Sequence, residues 1–520
     1  MKSAAGVSAA RFLMKKFLAF LVALVFFVAK VEASELVIFH TNDMHSRVLN
    51  SDDRNKSIGL AEIAAAVKAA KAENPSMTLW FDAGDTFHGL PRINVSNGEN
   101  MIPLLNAAGV DIVVPGNHDF NYGVPQLKKI SKKLKSPLLS ANVTLKKNGK
   151  NILKSYKILK LADGTRVGVF GLTTPETVYK ASQKHVATVN FENPVVIARD
   201  MIKKLQPKCD VIVCIMHMGV DPESEFTSER IAREAPGIDV IIDGHSHTEL
   251  PQGIQIGDTL IAQTGCYEHN LGRVTVEIEN HEIISKKAEL LNAAAVANLN
   301  PTPDAEIKKI LADIEEKNKP VFNEVVAHST HVLTSDRKII RCNESELGNF
   351  IADMIRWRTG ADFAIMNTGG IRADIPAGNV TRGDVMNVFP FGNVVTKAEI
   401  SGSAIRQMLE HSVHAYPKEF SGFLSVSGLT FTLDASQPAG SRVSEIYIGG
   451  EILDENKIYT IGADDFLFMG GDGFGMLKGL KITGEFETMD DVLTDYLEEV
   501  GLGNISLGRI KLAETLAKAA

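Results

Sequence analysis

The chain reads DIVVPGNHDFNYG over residues 111–123. DIVV is a short, uninterrupted apolar run, the pattern of a strand buried on both faces. Core strands do not ordinarily empty straight into Asn117, His118 and Asp119, each able to bind a metal ion or move a proton. Either the turn is polar by accident or it is one corner of an active site. Asn121 raises a second question, because it stands where an acidic partner for His118 would be useful.

Working outward, the same arrangement recurs. LVIFH (36–40) runs into Asp43 and His45, MTLWFD (77–82) into Gly84-Asp85, DVIVCIM (210–216) into His217, and DVIID (239–243) into Gly244-His245-Ser246-His247. Ligand sites in α/β sheets collect at the carboxyl ends of strands. A lone D-x-H or GNHD is commonly a surface turn; five such clusters, each after a buried run, form a constellation. Histidine and carboxylate without thiolate suit Mn, Fe, Zn or a similar divalent ion. Asp43, His45, Asp85, Asn117, His217, His245 and His247 are too many for one four-coordinate zinc and right for two ions sharing a carboxylate. Against two divalent ions the two aspartates leave a positive excess, even with a bridging hydroxide, and a phosphoryl group can offset it. His40 reads as a buried packing histidine, and His88, close after Asp85, fits either reading. His185, His269, His281, His328, His331, His411 and His414 lack the context.

Between several of the runs lie segments of helical character, at 61–71 and 194–205, and TLIAQTG (259–265) and RVTVEIE (273–279) add later strands. The pattern is that of an α/β core with helix-covered sheets. Asn300-Pro301-Thr302-Pro303 breaks the rhythm, and Asp304 is a good N-cap for the charged helix that follows. A chain of 520 residues exceeds one ordinary core. The expected division is 34–299, a linker helix over 300–322, and a second α/β domain over 323–520.

The first 33 residues are expected to be a signal peptide. Arg11, Lys15 and Lys16 precede an uncharged apolar run, and Val31 and Ala33 supply the small residues before a cut. The run is short for a membrane span, so cleavage after Ala33 and a periplasmic or secreted location are expected. No Cys stands at the cut, and the KLAETLAKAA ending lacks an apolar tail, so no stable membrane anchor is expected. That segment carries a net +4 against −8 for the whole chain, leaving −12. So acidic a protein is a poor binder of nucleic acid polymers. Four cysteines make no disulfide framework at this length; Cys209 and Cys214 flank a strand-like run and read as core.

D-x-H, G-D, GNHD, His217 and GHSH, in this order, resemble the calcineurin-like metallophosphoesterases. ESELGNFIAD (344–353), NTGGIR (367–372), FPFGN (389–393) and FLFMGGDGF (466–474) resemble the C-terminal domain of the secreted 5′-nucleotidases. The resemblance covers about residues 36–510. It implies an N-terminal four-layer α/β/β/α sandwich and a C-terminal α/β substrate-binding domain; a monomer is expected. It implies two divalent metal ions (Mn2+, Zn2+, Co2+ or Mg2+), one held by Asp43, His45, Asp85 and His247, the other by Asp85, Asn117, His217 and His245. His118 would face the scissile phosphate. In many relatives an aspartate at the Asn121 position pairs with that histidine; here the amide oxygen is expected to accept a hydrogen bond from the imidazole.

Arg337, Arg341, Arg372 and Asn367 would meet the substrate, as guanidinium forks suit phosphate. Phe391 and Phe466 would sandwich the nucleobase, and Asn393 and Asp472 would bond the ribose or base. The implied reaction is hydrolysis of nucleoside 5′-monophosphates, and possible substrates extend to other 5′-nucleotides and UDP-sugars. The alternative is a 2′,3′-cyclic-nucleotide 2′-phosphodiesterase with 3′-nucleotidase activity, whose relatives also carry Asn at the Asn121 position. A purely nucleotide-binding protein would have no need of the whole ligand set.

Overall fold

A computed structural model of the chain describes residues 34–513 apart from 53–55, 182, 223 and 301. The expected signal peptide, with its cut after Ala33, lies outside the described residues.

The N-terminal half stacks two sheets. One has the order Glu282–Leu291, Leu271–Glu279, Ser34–Thr41, Thr78–Asp82, Ile112–Val113; the other runs Ile254–Ile256, Thr259–Ala262, Val240–Ile242, Val211–His217, Arg166–Thr173, Tyr156–Lys160. Side chains alternate across each strand, and both faces are covered. Leu36, Ile38, Leu79 and Phe81 meet Val167, Val169, Val213 and Ile215 between the sheets. Phe39 and Trp80 turn outward onto the helix Leu60–Glu73, while Ile212, Cys214 and Met216 turn onto the helix Pro194–Leu205. That double burial is why the strands read as continuous apolar runs, and it gives the four layers α/β/β/α.

The helix Ala305–Phe322 follows. The Asp304 side chain accepts from the Ile307 amide at its N-terminus and is paired with Lys68 at 2.6 Å. Ile307, Leu311 and Ile314 pack into the first domain's helix-side core, so the helix is fastened to that domain along its length.

In the C-terminal half a five-stranded sheet has the order Leu424–Ser427, Phe363–Asn367, Ile458–Asp464, Val394–Ser401, Ile482–Thr488. The helices Glu346–Thr359 and Met489–Glu499 cover one face. Gly402–Val413 and a second sheet built on Leu429–Leu433 and Val443–Ile448 cover the other. The two halves touch at the ends of their sheets. The Glu485 amide donates to the Tyr179 carbonyl at 2.8 Å, and the Arg47 guanidinium donates to the Phe391 carbonyl at 2.5 Å. All four cysteines are free thiols, with Cys214 buried and Cys209 half-buried.

Candidate active site

The turn after each central strand is tight and strained. Asp43, His45, Asp85, His245 and His247 all have positive φ, between 45° and 82°, a region that non-glycine residues occupy at a cost of about 1–3 kcal/mol each. Glycines make the approach possible. A Cβ on Gly116 would collide with the Asp85 carboxylate, and one on Gly244 would lie 2.9 Å from both Asp43 Oδ2 and His217 Nδ1.

These turns bring five ligand candidates together. His45 Nε2 and His247 Nε2 lie 3.1 Å apart, and His247 Nε2 is 3.5 Å from Asp43 Oδ1. His217 Nε2 is 3.1 Å from Asp85 Oδ2 and 3.7 Å from Asp43 Oδ1. Asp43, His45 and His247 form one group able to hold an ion; Asp43, Asp85 and His217 form another. Asp43 Oδ2 accepts from Asn42 Nδ2 and from the His245 amide, which is shared with Oδ1 at 3.1 Å, and Asp85 Oδ1 accepts from the His118 amide at 2.8 Å. Asp43 Oδ1 and Asp85 Oδ2 are the oxygens that face the histidines. Asn117 Oδ1 and His245 Nδ1 approach each other at 2.9 Å, and the His245 ring lies 5.1 Å from that of His217, beside the five.

The charges interlock. Burial alone would raise the Asp43 carboxyl, but His217 and His247 hold it down to about 2. Burial alone would lower the His217 imidazole, but Asp85 and Asp43 push it up to about 10. His217 is fully buried, with Nδ1 fixed 2.7 Å from the Ala83 carbonyl, and its Nε2 has no hydrogen-bond partner. A buried nitrogen aimed at two carboxylate oxygens suits a divalent cation, so the residues fit the metals expected of them.

Other side chains serve as supports. Asp119, in the opening stretch, accepts from the backbone amides of Asp85, Thr86, Phe87 and Gly116 at 2.8–2.9 Å. It staples the Asp85 turn to the Asn117 turn. Glu176 receives His245 Nε2 at 3.0 Å and pairs with Lys180 at 3.0 Å. This carboxylate–histidine contact orients the ring, and Lys180 Nζ approaches the same ring nitrogen at 3.2 Å. Neither Glu176 nor Lys180 stands beside a recognisable motif, and no sequence signal pointed to them. His40 is buried with neither ring nitrogen bonded; burial lowers it to about 3, as befits a packing histidine. His88 stacks on His118 at an interplanar angle of 9°.

His118 does meet Asn121, but the amide presents the opposite end from the one expected. Asn121 Nδ2 lies 3.2 Å from His118 Nδ1 and 3.4 Å from His88 Nε2. Lying between two ring nitrogens, the amide donates rather than accepts.

In the C-terminal domain, Asn367 Nδ2 and Ser421 Oγ each donate to Asp472, both at 2.8 Å. The Asn367 carbonyl oxygen is buried without a partner. Arg341 ties into the same loop, its carbonyl accepting from the Phe420 amide. Arg372 lies over the Phe391 ring at 5.6 Å. Phe466 packs so tightly on Gly471 that a Cβ there would enter the ring. Arg337 is exposed at the start of a short helix, and Asn393 Nδ2 donates to Asp464 at 3.2 Å. His411, unassigned by sequence, has its Nε2 2.9 Å from the Asp472 carbonyl.

A two-sheet α/β/β/α sandwich whose strand ends converge Asp and His on this pattern defines a calcineurin-like phosphoesterase, and the profile of those proteins matches residues 36–249. Enzymes of that class use divalent metals. The 5′-nucleotidase C-terminal domain profile matches residues 325–479. The chain belongs to the 5′-nucleotidase family of metallophosphoesterases. It is 28% identical over 510 residues to the 5′-nucleotidase of Vibrio cholerae, covering 89% of this chain and 90% of that protein. Among solved structures it is similar to the 5′-nucleotidase precursor of Thermus thermophilus, with 29% identity, a TM-score of 0.56, and coverage of 92% of this chain and 100% of that one. The NAD nucleotidase of Haemophilus influenzae shares the fold at a TM-score of 0.72 and 23% identity, over 92% of this chain and 100% of that one.

Proposed function

We propose that the protein hydrolyses nucleoside 5′-monophosphates to nucleoside and phosphate, using two divalent ions. The carrying observation is the fully buried Nε2 of His217 aimed at the Asp85 and Asp43 carboxylates, in a chain that also bears a 5′-nucleotidase C-terminal domain. When bound, the ions supply Lewis-acid polarisation of the phosphoryl oxygens and a water of lowered pKa.

The chain's own residues do the rest. Asp43, His45, Asp85 and His247 hold one ion, and Asp85, Asn117, His217 and His245 the other. Asp43 belongs to both groups able to hold an ion, which makes it a second shared ligand candidate beside Asp85. His118 faces the phosphoryl group and stabilises its charge or protonates the leaving oxygen through Nε2. Phe391 and Phe466 stack on the base, while Arg337, Arg341, Arg372, Asn367, Asn393 and Asp472 bind the remainder of the nucleotide. The ions are Mn2+, Zn2+, Co2+ or Mg2+. We place the mature protein, cut after Ala33, in the periplasm or outside the cell as a monomer. Among the described residues no helix is long and apolar enough to cross a membrane.

The competing reading, a 2′,3′-cyclic-nucleotide phosphodiesterase with 3′-nucleotidase activity, is favoured by Asn121 beside His118. Phosphate release from AMP, 3′-AMP and 2′,3′-cyclic AMP, measured side by side with Mn2+, separates the two. AMP should be the fastest; a faster rate on either of the others would overturn the 5′ assignment.

A further inference from the structure

Between Asp119 and Asp163 the chain has no acidic residue and no arginine but 11 lysines, in a protein whose net charge is −8. The fold gathers most of them. Lys128, Lys129, Lys132 and Lys133 lie on the helix Gly123–Lys133, and Lys135 follows its end. Lys146, Lys147 and Lys150 lie on the turn after the strand Val143–Leu145. That turn is fixed by its backbone. The Leu145 amide donates to the Lys150 carbonyl at 2.9 Å, the Gly149 amide to the Leu145 carbonyl at 2.8 Å, and the Lys146 amide to the Thr188 carbonyl at 3.0 Å. Helix and turn together border a cleft of about 710 Å³, lined by the apolar Val124, Pro125 and Leu145 and by Lys128, Lys146 and Lys147.

Glu99 takes up Lys129 and Lys133. Among the described residues no carboxylate pairs with Lys132, Lys135, Lys146, Lys147 or Lys150, all of them exposed. Like charges gathered on one face repel one another, and an external counter-charge relieves that. The type of cation narrows the counter-charge. A lysine ammonium is a hydrated point charge without the fork that picks out one phosphate, so a spread of lysines suits a surface that repeats its negative charge. The cleft has no arginine and no aromatic ring on which a nucleobase could stack. It offers alkyl surface instead, which suits a lipid better than a nucleic acid.

We propose that this lysine face docks reversibly on a bilayer rich in anionic phospholipid. The ammonium groups meet headgroup phosphates, and Val124, Pro125 and Leu145 meet the upper methylenes of a lipid chain. Because the net charge is negative although this segment is wholly basic, the rest of the chain is repelled by the same bilayer, which orients the protein with this face toward it.

The test is co-sedimentation of the mature protein with vesicles of phosphatidylcholine alone or mixed equally with phosphatidylglycerol. It is run at roughly 0.1 M and 1 M salt, where the Debye length is about 10 Å and about 3 Å. The protein should bind the mixed vesicles at the lower salt, leave them at the higher, and ignore phosphatidylcholine. Each lysine lost from the face should lower the partition about fivefold, so Lys132→Gln, Lys146→Gln and Lys147→Gln combined should lower it about 10²-fold. The same charge change on the helix Ala305–Phe322, by Lys308→Gln, Lys309→Gln and Lys317→Gln, should leave binding intact. AMP turnover should be unchanged in both triple variants, which also shows that they are folded; should the face triple misfold, its three single variants read the fivefold steps. No binding to mixed vesicles at the lower salt overturns the proposal, as do equal losses in the two triples. Binding to single-stranded RNA as tight as to the vesicles would make the face a general polyanion site. A fall in kcat/KM for AMP in the face triple, without vesicle binding by the wild type, would make it a device for steering nucleotides; either result also overturns it.

Discussion

Asp43, Asp85 and His217 are sealed from solvent, whereas Arg337 and Arg372 in the other domain stand in it. The same contrast runs through the backbone. Five of the seven ligand candidates in the N-terminal domain are strained into positive φ, but among the C-terminal candidates only Asp472 is. One half of the site fixes short side chains in a dry pocket, where their mutual charges are strong. The other half offers long guanidinium forks, half-buried phenyl rings and glycine-rich turns. The difference follows from the ligands each half would hold. A cation tolerates little error in geometry, whereas a stacked base tolerates much, since every base presents a π-face.

The comparison breaks first at the metals. Exhaustive chelation should take AMP hydrolysis below detection, and Mn2+, Co2+ or Zn2+ should restore it. Asp85→Asn should come nearly as low, since it weakens both ion sites at once and forfeits several kcal/mol of charge stabilisation. Full activity in protein verified metal-free by elemental analysis would end the two-metal account. His118→Ala should be next, lowering kcat by roughly 10²–10⁴, the usual scale of acid–base help. Stopped-time phosphate assays on both variants, with metal content measured on the same samples, keep the two losses apart: the Asp85 variant should be metal-poor and the His118 variant fully loaded.

The N-terminal half was legible because its strands are buried on both faces. LVIFH, WFD and VIVCIM could scarcely be anything but core strands, and the polar cluster after each one marked the edge where the site lies. The edge strands were harder. Tyr156–Lys160 and Glu282–Leu291 are mostly exposed or half-buried, so charged residues interrupt their apolar pattern. Supporting groups were harder still. Asp119 was visible, but its role as a staple depends on four amides that only the fold brings near. Glu176 and Lys180 carry no local mark, because what matters is which histidine each one faces. The orientation of Asn121 depended on His88, a neighbour that its own motif does not reveal. In the C-terminal half, residues such as Phe391 and Phe466 were identifiable only through family resemblance, since a phenylalanine beside glycines more often belongs to a core.

Those two rings give a sharper and smaller test of the contrast. Stacking is worth about 1–3 kcal/mol per base, or about 5- to 150-fold in kcat/KM. Phe391→Ala and Phe466→Ala should each lose activity on AMP within that range. Ribose 5-phosphate has the sugar and phosphate but no base, so neither change should matter much to it. The double variant should lose less than the product of the singles, because one ring alone makes no sandwich. Parallel losses on both substrates, together with a lower melting temperature, would mean the rings are core and the C-terminal half is as rigid as the other.

The smallest effect is a count of protons. Without metal, Asp85 and Asp43 overcome the effect of burial and raise His217 to about 10, and His247 is raised as well. At pH 8, below that raised value, His217 keeps its proton in the metal-free protein. A histidine must be neutral to bind a metal, so loading at pH 8 should expel on the order of one to two protons per site pair. The release should dwindle as the pH is raised past 10, where the proton is already gone. Calorimetric titration with Mn2+ in two buffers of different ionisation enthalpy reads the number directly. Adding adenosine to the loaded protein should release none, because Phe391, Phe466 and Asn367 have no proton to lose in receiving a nucleoside. Metal uptake at pH 8 without proton release would show that His217 is neutral before metal arrives. The ion pairs would then not hold the empty pocket together, and the two halves of the site would differ less than their burial suggests.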